Sequence, residues 1–321
     1  MSRLILIMGS GGIGRRHAQA AKNFWPDARL VAVRDGESEA TLALGMQVVP
    51  TLEAALALGP DAAIVALPPR LHGPVGAAIL EAGVPLYLEK PVAIDSDQIA
   101  SAAQRAQAQG VVTQVGCVLR FLPGFAKIAS WLAQGLVGEV RHARLAVGQW
   151  LPDWRPGRDW RQTYSAHRAE GGGVLLDLIH ETDMARFLFG EFDHVSARVV
   201  RTGALDADVE DSADLLYGRD GLSVSVHLDY LDRAGCRQGR IVGALGSIEY
   251  DLRAGRLALW RDGGWHDMFE AGDFDVAAAH VTAITHFLDH VGQGLACRQP
   301  IIDGVRSLQL VERARAAAGA P

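Results

Sequence analysis

The string Gly9-Ser10-Gly11-Gly12-Ile13-Gly14 constrains this chain more than any other, because it follows directly on the apolar run 4–8 and opens a segment of helical composition, 13–24. Glycines at these spacings let the backbone turn sharply and approach a pyrophosphate, whose charge is met by the free N–H groups and dipole of the helix start. The six residues from Gly9 to Gly14 are therefore expected on a dinucleotide. At the end of the second apolar run, Asp35 stands where an acid hydrogen-bonds the adenosine ribose hydroxyls, which favours NAD. Its neighbour Arg34 could instead receive a 2'-phosphate, which leaves NADP open.

The alternation continues to about residue 115. Apolar runs at 4–8, 30–33, 62–67, 84–88 and 111–115 are separated by Ala-rich segments at 13–24, 38–44, 52–58, 75–81 and 98–107. That is the rhythm of a doubly wound parallel sheet. After Pro123 it changes: a helix through Trp131, a strand over 140–147, a polar aromatic loop, a helix over 173–189, and then strands over 192–201, 212–217, 222–230, 236–242 and 247–252. Turns such as Arg219-Asp220-Gly221 make this an antiparallel meander, and helices over 276–291 and 304–317 follow. The expected architecture is an α/β Rossmann domain over 1–120 and an α+β domain with a large, open, mainly antiparallel sheet over 121–321. A chain of 321 residues suits two cores better than one.

Composition narrows the partners. A formal net charge of -6 argues against an electrostatic grip on nucleic acid or an anionic membrane and points to a small molecule. Cys117, Cys236 and Cys297 are too few and scattered for a disulfide framework or a zinc ligand set, so no metal is expected and a reducing cytoplasm fits best. The run 4–8 is far too short to span a membrane.

Arginine outnumbers lysine 28 to 3, so each lysine invites a question. Lys22 and Lys127 fall on amphipathic segments. Lys90 follows the run 84–88 at its carboxyl end, where open α/β sheets place ligands, and Pro91 disfavours helical geometry there, so a fixed turn, cis or trans, can aim the ammonium into the crevice. A second half-site is Gly171-Gly172-Gly173 leading into an apolar helix that carries Asp177 and His180. Three apart on one helix, these two are neighbours, so the carboxylate can orient an imidazole able to take a hydroxyl proton as hydride leaves for nicotinamide. Between the half-sites, residues 149–165 hold three of the seven tryptophans among several arginines. Aromatic faces suit sugar C–H faces and guanidinium forks suit carboxylate or phosphate, so Arg158, Trp160 and Tyr164 are expected on an acidic or nucleotide-linked sugar.

Taken together, the GSGGIG loop, the stretch 61–72 (DAAIVALPPRLH), Glu89-Lys90-Pro91, Leu119-Arg120-Phe121-Leu122-Pro123, the triple glycine with His180-Glu181-Thr182-Asp183, and residues 246–251 (GSIEYD) resemble the glucose-fructose oxidoreductase, inositol dehydrogenase and MocA family over essentially the full length. The resemblance implies a nicotinamide-dependent dehydrogenase with Lys90 on the reacting oxygen and His180 relaying the proton. It also implies Leu67, Pro68, His72 and Glu89 near the dinucleotide, Arg120 on the substrate side, and a homodimer or homotetramer. One departure is plain: many members carry the aspartate four residues before the histidine, where this chain has Leu176, while Asp177 is three before. Two rival readings stay open, a non-catalytic dinucleotide-binding regulator of the same fold and a redox-neutral sugar-modifying enzyme that recycles its cofactor.

Overall fold

The computed structural model describes residues 2–36 and 38–319. By packing, the chain forms two units, 1–118 with 277–308 and 119–276 with 309–321. The sequence reading placed all of 121–321 in one domain; the difference is the return of 277–308 to the first unit.

In the first unit the order is β1 (Leu4–Met8), α1 (Gly12–Phe24), β2 (Arg29–Val33), α2 (Glu39–Ala43), β3 (Gln47–Val49), α3 (Leu52–Leu56), β4 (Ala62–Val65), α4 (Pro69–Glu81), β5 (Leu86–Leu88), α5 (Ala100–Ala108) and β6 (Thr113–Val115). The six strands form one parallel sheet in the order β3-β2-β1-β4-β5-β6. All five side chains of β1 are buried, each contributing about 1.5–3 kcal/mol by leaving water. The sequence reading had five strands; β3 is the one it missed, a three-residue edge strand too short to show a period.

Register decides where the loops meet. Met8 pairs with Val65, Val65 with Leu88, and Leu88 with Val115. Gly9, Ala66, Glu89 and Gly116 therefore leave the sheet side by side at its carboxyl edge, and the strand order reverses at β1, the usual address of a ligand in such sheets. The outer edge at β6 is covered by the returning chain: Val115 donates its N–H to the Gln299 carbonyl (3.0 Å), Gln299 Nε2 donates back to Val115 (2.7 Å), and Gln114 Nε2 donates to Ala283 (2.8 Å).

The second unit contains α6 (Pro123–Ala133), β7 (Val140–Gly148), α7 (Val174–Asp177), α8 (Ile179–Phe189), β8 (His194–Val200), β9 (Ser212–Arg219), β10 (Leu222–Asp229), β11 (Cys236–Gly243), β12 (Ser247–Asp251), β13 (Arg256–Arg261) and β14 (Gly264–Asp267). Two long helices, α9 (Val276–Gln293) and α10 (Ile301–Ala317), complete the chain. The eight strands run β14-β13-β12-β11-β7-β10-β9-β8, antiparallel except where β7 and β10 pair in parallel. Leu222, Val224, Val226 and Leu228 are buried at every second position of β10, the period that puts one face of a sheet under cover. The sequence reading missed the β13–β14 hairpin, although Asp262-Gly263, both at positive φ (53° and 82°), is the two-residue loop such hairpins favour. It also ran one helix over 173–189, where Leu178 (φ -101°, ψ 23°) separates α7 from α8.

On the other face of this sheet His227 lies between Asp214 (Nδ1···Oδ1 2.7 Å) and Asp229 (Nε2···Oδ2 3.1 Å). The hydrogen bond to Asp229, and then the bond and charge of Asp214, raise its pKa to about 9. A raised folded-state value means the pairing stabilises fully below the ordinary histidine range and is lost as pH rises through about 9. The stability gap between the native protein and His227→Gln, measured by urea unfolding, should therefore be largest near pH 6, shrink steadily above it and vanish above about pH 9; the half-exposed ring keeps the gap to about 1 kcal/mol or less.

Candidate functional site

Each unit carries its own set of candidate residues. In the first, Gly9 has φ 111°, and a Cβ there would lie 2.2 Å from the Ala66 carbonyl oxygen, while a Cβ on Gly14 would lie 1.9 Å from the Gly9 oxygen. Only glycine lets β1, the end of β4 and α1 approach this closely. Gly11 and Gly12 differ: nothing lies within 4 Å of the position a Cβ would take. Gly11 caps α1 with no side-chain hydrogen bond and the first turn carries no acid, so the opening N–H groups are left for an external anion. These residues fit a pyrophosphate.

Beside the loop is a cavity of ≈ 260 Å³ lined by residues that include Ser10, Arg15, Arg34, Thr41, Met46 and Leu67. Arg34 Nη1 is 3.5 Å from Ser10 Oγ. Asp35 is exposed and is not among the lining residues. His72 is buried, with Nδ1 2.6 Å from the Pro91 oxygen and Nε2 2.7 Å from the Leu67 oxygen. Burial pulls its pKa down while the two carbonyls it faces pull the other way, and the ring ties the β4 loop to the β5 loop through Leu67 and Pro91. Pro68, exposed, caps α4. The Lys90–Pro91 peptide is cis. Lys90 is half-buried behind buried Glu89, whose carboxylate accepts from His17 Nε2 (2.7 Å) and from the Lys90 N–H (3.3 Å). Sequence reasoning missed His17; its signal was a histidine three residues after Gly14, on the buried face of α1.

In the second unit the glycines are again forced by close approach. A Cβ on Gly172 would meet the Tyr164 oxygen at 2.4 Å, and one on Gly173 (φ 102°) would meet Glu210 Oε1 at 2.5 Å. Asp177 ends α7, and its Oδ2 accepts from Tyr230 (2.7 Å). Burial first, then the Asp177 charge and hydrogen bond, push the Tyr164 and Tyr230 phenols well above their ordinary range, so both stay neutral donors. Thus Asp177 is held by two phenols, and Leu178 separates the short helix it ends from the helix that carries His180.

The residues after His180 are each anchored. Glu181 receives Arg237 through two bonds (2.7 and 3.0 Å), Thr182 meets the Tyr217 hydroxyl (3.0 Å), and Asp183 receives Arg120 through Nε (2.8 Å) and Nη2 (2.5 Å). From Gly171 to Arg186, His180 is the one residue that is not buried. The Arg120 guanidinium, 10% exposed, is forked onto Asp183 and lies over Phe187 (5.2 Å), an anchoring place.

The tryptophan loop divides. Tyr164 turns toward Asp177, with Arg155 over its ring at 5.0 Å, and Trp154 meets Tyr230 edge-on at 5.1 Å. Trp160 instead lines a cleft of ≈ 840 Å³ with Trp150, Pro152, Arg161, Arg201 and Asp206, and Arg158 is exposed. Arg161 and Arg201 were not singled out from the sequence; Arg201 lies some forty residues further along the chain, which spacing cannot bring to the loop.

Comparison with known proteins gives this arrangement a family. The family model described as "Oxidoreductase family, NAD-binding Rossmann fold" matches residues 3–117, and that of the "GFO/IDH/MocA C-terminal domain" matches 125–249. The chain is 28% identical over 215 residues to inositol 2-dehydrogenase of Rhizobium meliloti (strain 1021), covering 65% of this chain and 61% of that one. It is 30% identical over 254 residues to a putative UDP-kanosamine synthase oxidoreductase subunit of Amycolatopsis mediterranei (strain S699), covering 72% and 69%. The match thus spans about three fifths to two thirds of these relatives' lengths. A levoglucosan dehydrogenase in complex with NADH and levoglucosan superposes with a TM-score of 0.87 over 99% of this chain and 98% of that one at 19% identity, which establishes the shared fold. The chain belongs to the glucose-fructose oxidoreductase, inositol dehydrogenase and MocA family of oxidoreductases, with an NAD-binding Rossmann domain.

Proposed function

We propose that this protein oxidises or reduces a CH–OH carbon of a sugar or polyol, with Lys90 on the reacting oxygen and His180 exchanging its proton. The observation that carries the reading is the partial solvent access of His180 in the run 171–186, where every other residue is buried. A packed structural histidine would be buried with them. Gly9 to Gly14 would hold the pyrophosphate, and the cavity lined by Arg34 and Leu67 the adenosine end; NAD, when bound, supplies the hydride acceptor or donor. The Lys90 ammonium would bind the substrate oxygen and favour negative charge developing on it. His180 would take the hydroxyl proton in the oxidative direction. Asp177, with its two phenols, would fix the end of α7 from which His180 follows.

The substrate is proposed to be acidic or nucleotide-linked. Trp150 and Trp160 offer flat faces, and Arg161 and Arg201 in the same cleft offer guanidiniums for carboxylate or phosphate, with Arg158 on the same loop. The relative named as a UDP-kanosamine synthase oxidoreductase subunit agrees with this reading.

Incubation with NAD and a panel of neutral, acidic and nucleotide sugars, followed by absorbance of reduced nicotinamide, tests the reaction. Lys90→Met and His180→Asn should each lower kcat by about 10²–10⁴-fold while NADH still binds; turnover unchanged in both variants would remove the mechanism. Arg161→Ala and Arg201→Ala should raise KM for anionic sugars about tenfold or more and leave kcat nearly unchanged, the loss of one charge-assisted contact. Equal turnover of neutral sugars with no such KM effect would remove the anion.

A further inference from the structure

Behind Lys90 three side chains from three elements of the first unit meet: His17 of α1, Glu89 beyond β5 and His280 of α9, with one donor or acceptor atom from each lying within 4.8 Å of the others. None of the family-level readings above uses His17 or His280. The Glu89 carboxylate is held from several sides. Oε1 accepts from His17 Nε2 (2.7 Å) and the Tyr87 hydroxyl (3.4 Å), and Oε2 accepts the Lys90 N–H (3.3 Å). It lies flat against Gly116, where a Cβ would stand 2.9 Å from its carboxyl carbon and both oxygens. The His17 and His280 ring centroids lie 5.8 Å apart, with the planes tilted by 49°.

A carboxylate this deeply buried would ordinarily take up a proton. Here burial raises the Glu89 pKa, but the hydrogen bond and charge of His17 outweigh it and hold the group below its usual range. His280 is pushed by burial to about 4, so at neutral pH it is an uncharged wall. Arg16 and Lys90 bring positive charge to the same place. That charge, with the hydrogen bonds Glu89 already accepts, favours a hydrogen-bonded network over a cation held by the three donors. The network has a direction. Its far end is the helix that begins at the glycine loop, and its near end grips the main chain of Lys90.

We propose that His17 and His280 are positioning residues that act through Glu89 to hold the Lys90 backbone in register with the helix behind the glycine loop. This rests on the reading of Lys90 as the group at the reacting oxygen. His17 donates the bond that fixes the carboxylate, Glu89 clamps the Lys90 N–H, and His280 closes the α9 side against water.

The test uses the fact that the chain has only three lysines. Lys127, paired with Glu270 (2.7 Å) in the second unit, is the internal reference, and Lys22, bound to the Ala28 carbonyl (2.9 Å) on the helix that carries His17, reports on that helix. The full-length protein and its His17→Ala, His17→Gln, His280→Phe and Glu89→Gln variants are labelled with trace acetic anhydride, and acetylation of each lysine is read by mass spectrometry. Loss of the clamp should raise the Lys90-to-Lys127 labelling ratio about threefold or more in His17→Ala and Glu89→Gln and about twofold in His280→Phe. His17→Gln, whose amide can still donate to Glu89, should return to within about 1.5-fold of the native ratio. If the ratio stays within about 1.5-fold in Glu89→Gln and His280→Phe, both folded by circular dichroism, the proposal fails, whatever becomes of His17→Ala. The readout needs no substrate. Altered Lys90 labelling in a protein that oxidises no sugar would leave the network standing and remove the proposed function, and the reverse result would remove the network alone.

Discussion

Close approach of the backbone to itself is the constraint on which the rest of this molecule depends. At Gly9 and Gly14 the first strand, the end of β4 and the first helix come within distances that no side chain permits, and at Gly172 the lead-in to α7 presses on the Tyr164 and Ser165 carbonyls in the same way, while Gly173 is required by its φ of 102°. These contacts do more than pack. The first set leaves the N–H groups at the start of α1 uncapped, which makes that helix end a place for an anion. The second sets the short helix whose last residue is Asp177 and whose sequel begins with Ile179 and His180.

Fixed charges then decide which groups remain available. In the second unit Arg237 and Arg120 neutralise Glu181 and Asp183 through paired hydrogen bonds, so two buried carboxylates flanking His180 are spent on structure. In the first unit a single hydrogen bond from His17 holds the buried Glu89 carboxylate. Each unit therefore places one partly exposed ionisable side chain, Lys90 or His180, beside buried acids that other side chains hold.

Much of this was legible in the sequence because it is local. The glycine loop, the lysine after an apolar strand and the histidine after a glycine run can all be placed by counting residues, and the structure puts Gly9, Ala66 and Glu89 on neighbouring strand ends as a parallel sheet requires. What counting could not reach are contacts made over long separations. Nothing near His280 in sequence tells that it meets Glu89, nor anything near Gln299 that it covers β6. Short elements also escaped: β3 shows no period in three residues, and the β13–β14 hairpin was marked only by Asp262-Gly263. The break at Leu178 was likewise unmarked in the sequence, and it leaves Asp177 at the end of its own short helix, turned to Tyr230 and Tyr164.

The central claim is that Lys90 and His180 serve one reacting oxygen. A crystal structure with NADH bound tests it without knowledge of the sugar. The account predicts that Lys90 Nζ and the His180 ring both lie within about 3.2 Å of a single water or ligand oxygen over the reactive carbon of the nicotinamide. Two side chains directed into separate solvent regions, with the ring seated elsewhere, would contradict it.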